Sequence, residues 1–294
     1  MNIQENISLK ILNSWKVGGA ADFYAAPTTI EELIEAETWA KDNGHPITIL
    51  GGGTNALISD KGIRGLCINL RKLKGSEMEE KDGKLFVTAL SGTTKMELLK
   101  VFLKYQLPPA MMFAGIPGDI GGGVVMNAGI GEKIEPREFH EITQWVEVLS
   151  EGNIKRFGNR DIDWSYRNSH GWQPGIITKV CVAWPLDHAD PNIKEKVKQA
   201  NKIRLTKQPL HLPSCGSVFV NPKPLHSGAL IEDCGLKGFS IGGAQVSEKH
   251  ANFIVNTGES TADDIHQVVE HVKKTVFEKK AVKLDIEFTY LGDW

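Results

Sequence analysis

The amino-acid sequence predicts an α+β fold. Helical and strand-like patterns mix along its 294 residues without the strict alternation that a doubly wound parallel sheet shows. Two stretches of the sequence support this prediction. An amphipathic helical pattern near the C-terminus is followed by alternating apolar and polar residues up to Tyr290, and a glycine triplet at 51–53 follows a strand-like run without leading into a helical pattern.

The N-terminal half gives these elements in order. The Thr28–Glu31 segment resembles a capping box and predicts a helix that ends near Gly44. Apolar runs predict strands at 46–50 and 66–68. A strand at 85–89 then precedes a helix at 94–105, whose predicted apolar face is Met96, Leu99, Phe102 and Leu103.

The C-terminal half begins with a hairpin, in which strands 145–149 and 154–157 flank a turn at 151–153. A strand at 176–184 and a charged helix at 192–207 follow. Thr261 and Asp264 cap a helix whose apolar face extends from Ile265 to Phe277. Alternation over 282–290 predicts a final strand with one buried face.

Composition excludes several classes of function. The net charge is −2, from 34 basic and 36 acidic residues, so we expect no nucleic-acid partner. No apolar run is long enough for a membrane span, and residues 1–5 do not resemble a secretory signal. Four widely spaced cysteines predict free thiols in a reducing cytoplasm. The nine histidines form no metal-binding pair at helical spacing, so no metal is expected.

The glycine triplet lies in the sequence Gly51-Gly52-Gly53-Thr54-Asn55-Ala56, which fits G-x-G-x-x-A. A dinucleotide-binding turn of that kind needs a helix to follow, whereas residues 57–62 indicate a short strand and a turn. Glycines still let backbone N–H groups surround an anion, and Thr54 and Asn55 can add side-chain hydrogen bonds. The segment therefore predicts an anion site without a helix.

A second glycine-rich segment spans Gly115–Gly129. So many glycines in an apolar stretch suggest a tight backbone path against a flat or phosphorylated ligand. Either segment alone could be a plain turn, and the occurrence of two in one chain favours a ligand.

Six motifs occur together in a fixed order. They are Asn13–Ala21, Leu50–Asn55, Gly115–Gly118 with Met126–Gly129, Tyr166–Ser169, Gln208–Leu210 with Pro213–Ser217, and Ile241–Ala244. In this set and order the chain resembles the UDP-N-acetylenolpyruvoylglucosamine reductase family across nearly its full length. Some members carry a longer loop between the positions of Arg167 and Lys207. This chain lacks that loop, so it resembles the short-loop subgroup.

The resemblance implies a vanillyl-alcohol-oxidase (PCMH-type) FAD-binding fold in three parts: residues 1–72 and 73–190 as FAD-binding subdomains, and 191–294 as a substrate-binding domain. It implies non-covalent FAD and NADPH as the reductant. The implied reaction reduces UDP-N-acetylglucosamine enolpyruvate to UDP-N-acetylmuramate in peptidoglycan precursor synthesis. A cytoplasmic monomer is expected.

The resemblance also implies site residues. Ser217 would donate a proton, and Arg167 and Glu287 would lie by the substrate carboxylate. Substrate contacts would come from Tyr166, Arg167, Lys207 and Asn221. The expected FAD-binding residues are Leu50, Gly51, Gly52, Gly53, Thr54, Asn55, Gly115, Ile116, Pro117, Gly118, Gly121, Gly122, Asn127, Ala128 and Gly129.

Two further positions depart from the family pattern. Val220 stands where many members have Lys, and Asp119 stands where Thr is usual, which places an acid near the expected FAD phosphates. By pattern alone Glu287 is a solvated residue, Arg167 a surface cation and Ser217 a turn residue. Cys215 is interpreted as a small packing residue.

Three other functions remain as alternatives. Gly238–Gly242 fits the G-x-S-x-G nucleophile elbow of hydrolases, but the flanking residues do not predict the strand and helix that this motif needs. Another FAD-dependent oxidase or dehydrogenase could use the same fold. A non-catalytic nucleotide-binding protein is the third alternative.

Overall fold

The computed structural model describes residues 1–131 and 134–294. The chain forms two compact units. The first comprises Met1–Ile3, Ala25–Gly52 and Ile68–Lys202, and the second comprises Gln4–Tyr24, Gly53–Cys67 and Ile203–Trp294. The division into three domains that the family resemblance implies remains a prediction.

The strands are β1 Gln4–Ser8, β2 Ala20–Ala25, β3 Ile47–Leu50, β4 Ala56–Ile58, β5 Ile63–Asn69, β6 Ser76–Lys81, β7 Lys84–Leu90, β8 Thr143–Ser150, β9 Asn153–Gly158, β10 Asp163–Ser165, β11 Asn168–His170, β12 Ile176–Pro185, β13 Ser240–Ile241, β14 Ala244–Val246, β15 Ile254–Asn256 and β16 Thr289–Leu291. The helices are α1 Ile30–Asp42, α2 Lys95–Lys104, α3 Pro109–Gly115, α4 Ile120–Val125, α5 Phe139–Ile142, α6 Ile193–Lys207, α7 Ser227–Asp233 and α8 Ala262–Lys280. The mixture of helices with mainly antiparallel strands confirms the predicted α+β class.

The first unit is built on a five-stranded antiparallel sheet in the order β6-β7-β12-β8-β9. Alternate residues of β7 point into the core, and Leu85, Val87 and Ala89 are buried. The core that they share with α2, α3, α4 and α5 contains Phe102, Phe113 and other apolar side chains. The predicted hairpin of β8 and β9 is confirmed.

Helix α1 begins one residue later than the capping-box prediction. The Thr29 hydroxyl, rather than that of Thr28, caps the helix by accepting a hydrogen bond from Glu32 N at 3.2 Å. The Glu32 carboxylate in turn accepts from Thr28 N at 2.6 Å. The helix itself is confirmed.

The predicted apolar face of α2 is partly wrong. Met96 is 57 % exposed, whereas Leu98, Leu99 and Phe102 are buried. The predicted apolar face of α8 is also partly wrong, because Phe277 at its end is 59 % exposed. Both errors arise because spacing alone does not fix how wide the covered face of a helix is.

The second unit contains the antiparallel pair β1 and β2, with β5 beside β2, and the antiparallel sheet β13-β14-β15. Helix α8 packs on the second of these sheets through Ile265, Val268 and Val272. A capping box of Thr261 and Asp264 begins α8, as predicted. The Asp60 carboxylate adds a tertiary cap, because it accepts hydrogen bonds from Ala262 N at 3.0 Å and Asp263 N at 2.9 Å.

The long final strand predicted over 282–290 is wrong as a continuous element. Its buried face is present, since Leu284 and Phe288 are buried. The backbone changes partners along its length, however. Glu287 N donates to Val218 O at 2.8 Å, and Thr289 N donates to Asn55 O at 3.0 Å before β16 pairs in parallel with β4. Alternation predicts which face is buried, but it carries no information about pairing.

Within residues 1–131 and 134–294, each helix is either too short or too polar to cross a bilayer.

Candidate active site

The first glycine segment lies at the end of β3. Leu50 is buried, and Gly51 and Gly52 follow it in the first unit. A Cβ at Gly52 would lie 3.3 Å from Gly118 Cα and 3.4 Å from both carboxyl oxygens of Asp119. The Asp119 carboxyl group and the Gly118 backbone therefore border the space beside Gly52.

The second glycine segment begins at the last residue of α3 and forms a turn at Ile116–Asp119 and the short helix α4. Gly118 has φ +89°, which favours glycine. Gly115, Gly121, Gly123 and Gly129 are fixed by protein packing, since a Cβ at each would collide with Ile130, Ser91, Phe139 and Arg137, respectively. Gly122 differs, because a Cβ there would meet nothing within 4 Å. Packing thus explains why glycine occupies four of these positions, whereas Gly122 faces open space.

The Asn127 side chain is used within the protein. Its Nδ2 donates to Glu138 Oε2 at 3.0 Å and to Ser165 O at 2.9 Å, and its Oδ1 accepts from His140 N at 3.0 Å. These bonds hold the Asn127-Ala128-Gly129 backbone in place, so any contact between Asn127 and FAD would come from the backbone.

Arg167 lies in the two-residue turn between β10 and β11, with φ +56°. Its Nη1 lies 3.3 Å from Glu138 Oε1, and its Nη2 donates to Gly129 O at 3.1 Å. The guanidinium carbon lies 4.6 Å from the centre of the Tyr166 ring, which is a cation–π contact. The first unit thereby brings Tyr166 and Arg167 next to the Met126–Gly129 motif.

Ser217 and Glu287 belong to the second unit, where their segments run side by side. Phe219 and Ile286 form an antiparallel bridge, and Glu287 N donates to Val218 O. Asn252 fixes the other side of the Ser217 segment. Its backbone oxygen accepts from Val218 N at 2.9 Å, and its side chain exchanges two hydrogen bonds with the Phe219 backbone.

Gly53, Thr54 and Asn55 also lie in the second unit. Gly53 has φ +62°, and a Cβ there would collide with Leu12 O. Asn55 Nδ2 donates to Glu287 O at 2.9 Å. The end of the first glycine motif is therefore joined to the strand segment that carries Glu287.

Burial shifts the pKa of Cys215, two residues before Ser217, and of His250, which contacts Asn252. Burial raises the pKa of the Cys215 thiol well above its usual value, and the nearby Glu287 carboxylate raises it further. Cys215 is buried in the hydrophobic core of the second unit, in agreement with its interpretation as a packing residue. Burial also lowers the pKa of His250, whose Nδ1 accepts a hydrogen bond from Asn252 N at 3.2 Å.

The two remaining predicted substrate residues are exposed. Lys207 is the last residue of α6, and Asn221 precedes α7. The Asn221 Oδ1 accepts a hydrogen bond from Ser227 N at 3.0 Å. Both belong to the second unit with Ser217 and Glu287.

Sequence reasoning missed Glu138, Lys95 and Asn252. Glu138 bonds to Arg167 and Asn127, Lys95 is buried beside the glycine segment, and Asn252 holds the Ser217 segment. The ordered motifs contain none of the three. The sequence gives no signal for Lys95, because a lysine directly after a helix N-cap threonine is ordinarily exposed.

Comparison with known proteins matches two family models. Residues 21–158 match a model described as an FAD binding domain. Residues 208–291 match a model described as the C-terminal domain of UDP-N-acetylenolpyruvoylglucosamine reductase. The first match contains both glycine segments, and the second contains Ser217 and Glu287.

Individual relatives cover nearly the whole chain. A UDP-N-acetylenolpyruvoylglucosamine reductase from Prochlorococcus marinus is 39 % identical, over 98 % of this chain and 93 % of the relative. One from Pediococcus pentosaceus is 35 % identical, over 100 % and 95 %. A crystal structure of this reductase (MurB) from Thermus caldophilus has a TM-score of 0.77 at 28 % identity, over 99 % of each chain.

These matches confirm the resemblance that the ordered motifs indicate. With more than 30 % identity extending over almost all of both sequences, the chain belongs to the UDP-N-acetylenolpyruvoylglucosamine reductase family.

Proposed function

We propose that the protein is an NADPH-dependent, FAD-containing UDP-N-acetylenolpyruvoylglucosamine reductase. It reduces UDP-N-acetylglucosamine enolpyruvate to UDP-N-acetylmuramate, a step of peptidoglycan precursor synthesis. The observation that carries the proposal is the near-full-length identity of 39 % to a relative of that name. The C-terminal family model also matches residues 208–291, which contain Ser217 and Glu287.

The glycine segments fit FAD as a non-covalent cofactor. A Cβ at Gly122 would meet nothing within 4 Å, and Gly51 and Gly52 lie beside the Asp119 carboxyl group. Backbone amides at glycines of this kind bind the diphosphate of a dinucleotide well. Gly118 supplies the turn that approaches Gly52. We assign the diphosphate to these four residues, and the other glycine-segment residues named from the sequence to the walls of the FAD site.

When bound and reduced, FAD supplies a hydride for the β-carbon of the enolpyruvyl double bond. The Ser217 hydroxyl then donates the proton that completes the reduction at the α-carbon. A serine hydroxyl is a weak acid, so a neighbouring cation must assist it, and Lys207 is the candidate in the same unit. Arg167 stabilises the negative charge that develops on the substrate carboxylate.

Glu287 needs a different role, because a charged carboxylate would repel the developing negative charge. We infer that Glu287 is protonated when it acts and that it orients the substrate carboxylate. A Glu287→Gln variant keeps this neutral shape and should retain more activity than Glu287→Ala. Equal loss in both variants would contradict the inference.

The experiment that tests the proposal separates the two half-reactions of Ser217→Ala by stopped-flow absorbance. NADPH should still reduce the flavin at the wild-type rate, because that step needs no proton from Ser217. Reoxidation of the reduced flavin by the enolpyruvyl substrate should slow by at least about a hundredfold, as expected for the loss of a general acid. Ser214→Ala, in the same segment, is the matched control and should leave both rates unchanged.

Other outcomes point to other functions. A variant in which both half-reactions stay fast would disprove the role of Ser217. Rapid reoxidation of the wild-type flavin by O₂, without turnover of the enolpyruvyl substrate, would indicate an oxidase. A purified protein that takes up no FAD would indicate a protein of another class.

Two further parts of the proposal concern the state of the protein in the cell. We propose a monomer, which light scattering coupled to size-exclusion chromatography measures directly. We also propose a cytoplasmic location, where the nucleotide-sugar substrate and NADPH are present. Cell fractionation with an antibody against the protein tests the second point.

A further inference from the structure

A buried acid lies in the first unit where the proposed function places a phosphate. The Asp119 side chain is only 3 % exposed, and its Oδ2 is buried without a hydrogen-bond partner among the described residues. Both carboxyl oxygens face the glycine segment, at 3.3 to 3.4 Å from the positions of a Cβ on Gly51 or Gly52. The Gly52 amide donates a hydrogen bond to the carboxyl group. Asp119 therefore occupies the Gly52 N–H group, which would otherwise be available to a phosphate oxygen.

The charged groups around Asp119 do not neutralise it directly. Lys95 and Glu97 on α2 and Arg71, in the turn before β6, are the charged groups that face it. The Lys95 Nζ donates to Pro117 O at 2.8 Å and lies 5.6 Å from the centre of the Phe139 ring. Burial lowers the pKa of Lys95 to about 7, although Asp119 opposes the shift. In residues 1–131 and 134–294, Asp119 forms no ion pair with either cation.

An ionised Asp119 and a diphosphate cannot share this position at low cost. Both are negative, both accept hydrogen bonds only, and the site is removed from water. Protonation resolves the conflict, since a carboxylic acid carries no charge and has one O–H to donate. The unpaired Oδ2 is the oxygen that is free to carry this proton.

We propose that Asp119 binds FAD in its protonated form, with the Oδ2 hydroxyl donating a hydrogen bond to a diphosphate oxygen, so that each FAD bound takes up one proton. The proposal rests on the proposed function, which assigns the diphosphate to Gly51, Gly52, Gly118 and Gly122.

The pKa of Asp119 in the FAD-free protein agrees with proton uptake on FAD binding. Burial raises the pKa of Asp119 to about 6, with Arg71 and Lys95 opposing the shift. Below that pH the acid is already protonated, so FAD affinity should not depend on pH. Above it each binding event must bring a proton, so affinity should fall by about tenfold for each pH unit.

The test measures FAD binding to the apoprotein between pH 5 and 8.5 by quenching of flavin fluorescence. The wild-type dissociation constant should rise at least about thirtyfold between pH 6.5 and 8.5. Asp119→Asn supplies an uncharged N–H donor and should give a constant that varies less than about threefold. Asp119→Thr should behave in the same way, and Asp187→Asn, an exposed acid in the same unit, should follow the wild type.

Calorimetry in two buffers of different ionisation enthalpy counts the protons. We expect close to one proton taken up per FAD at pH 7.5 in the wild type and none in Asp119→Asn. Equal pH dependence in the wild type and Asp119→Asn would overturn the proposal, as would a proton count of zero in the wild type. These outcomes require that FAD binds, so they differ from a wild-type protein that binds no FAD, which would overturn the proposed function instead.

Discussion

Glu138 and Arg167 form an ion pair in which Oε1 and Nη1 are 3.3 Å apart, and both side chains are about four-fifths buried. The second carboxylate oxygen accepts from Asn127, and Arg167 also donates to Gly129 O. Glu138 therefore fixes the arginine proposed to bind the substrate carboxylate to the Met126–Gly129 motif. No pattern in the sequence identifies this acid, yet it determines where the guanidinium lies.

Replacing Glu138 by Gln should weaken substrate reduction more than flavin reduction. The amide keeps an acceptor for one partner but loses the charge that holds Arg167, and charge-assisted hydrogen bonds contribute about 1.5–3 kcal/mol. We expect the rate of flavin reoxidation by the enolpyruvyl substrate to fall by about tenfold or more, with NADPH-dependent flavin reduction unchanged. Stopped-flow absorbance measures both rates.

The matched control is Glu141→Gln. Glu141 follows on α5 and pairs with Arg137 at 3.2 Å, away from Arg167. If both variants lowered the rate equally, the effect would come from α5 as a whole and the positioning role of Glu138 would be wrong.

Replacing Asp60 by Ala should destabilise α8. The carboxylate accepts two backbone N–H groups at the start of that helix, and loss of a cap of this kind costs about 1–2 kcal/mol. The free energy of unfolding from urea titration measures the loss. Asp60→Asn keeps an acceptor and should lose less, so equal losses in the two variants would contradict the capping role.

Replacing Trp15 by Phe should destabilise the second unit by about 2–4 kcal/mol. The indole Nε1 donates to Ile254 O at 2.8 Å, and the ring packs edge-on against Phe288 at 5.1 Å. The substitution leaves a cavity and an unpaired buried carbonyl. Trp39→Phe, a half-buried position on α1, should cost much less, and the same urea titration compares the two.

Stability should fall as the pH drops below about 6.5, the usual pKa of histidine, because of His250. Burial lowers the pKa of His250 in the folded protein, so the unfolded chain binds its proton first. Protonation would also remove the Nδ1 acceptor of Asn252 N. Neutral His250 stabilises the fold fully at pH values above its pKa in the unfolded chain. This stabilisation is lost as the pH falls through the lower pKa of His250 in the folded protein.

His250→Asn offers an oxygen in place of Nδ1 without a titrating ring. The difference in unfolding free energy between wild type and this variant should therefore shift in favour of the variant between pH 7 and 5. His211→Asn, at an exposed position, should show no such shift. A wild-type profile parallel to that of His250→Asn would contradict the role of His250.

The fold class and the family were predictable because both depend on local sequence. Helix α8 has its capping box and apolar spacing within one segment, and the glycine motifs occur in a fixed order. The partner of residues 282–290 was not predictable, because the choice between the Val218 segment and Asn55 depends on residues far away in the chain. The family resemblance was confirmed, whereas the roles assigned to single residues remain predictions.

The candidate site shows the same division. Spacing indicates that Gly51, Gly52 and Gly122 are special, but it gives Gly121 and Gly123 the same weight, and only the structure shows that these two pack against Ser91 and Phe139. Likewise, the sequence marks Asp119 as a departure from the family without showing that its carboxyl group is buried. Burial and unpaired atoms are properties of the assembled fold.

The order in which the two units are completed during translation follows from the chain segments that make up each unit. The first unit is complete once Lys202 has been made, whereas the second joins segments 4–24 and 53–67 to 203–294. Trp15 and Ile254, 239 positions apart, are bonded to each other, and β4 pairs with β16. The apolar residues Trp15, Val17 and Leu57 therefore leave the ribosome long before their partners exist. These native contacts can form only after residues 203–294 have been synthesised.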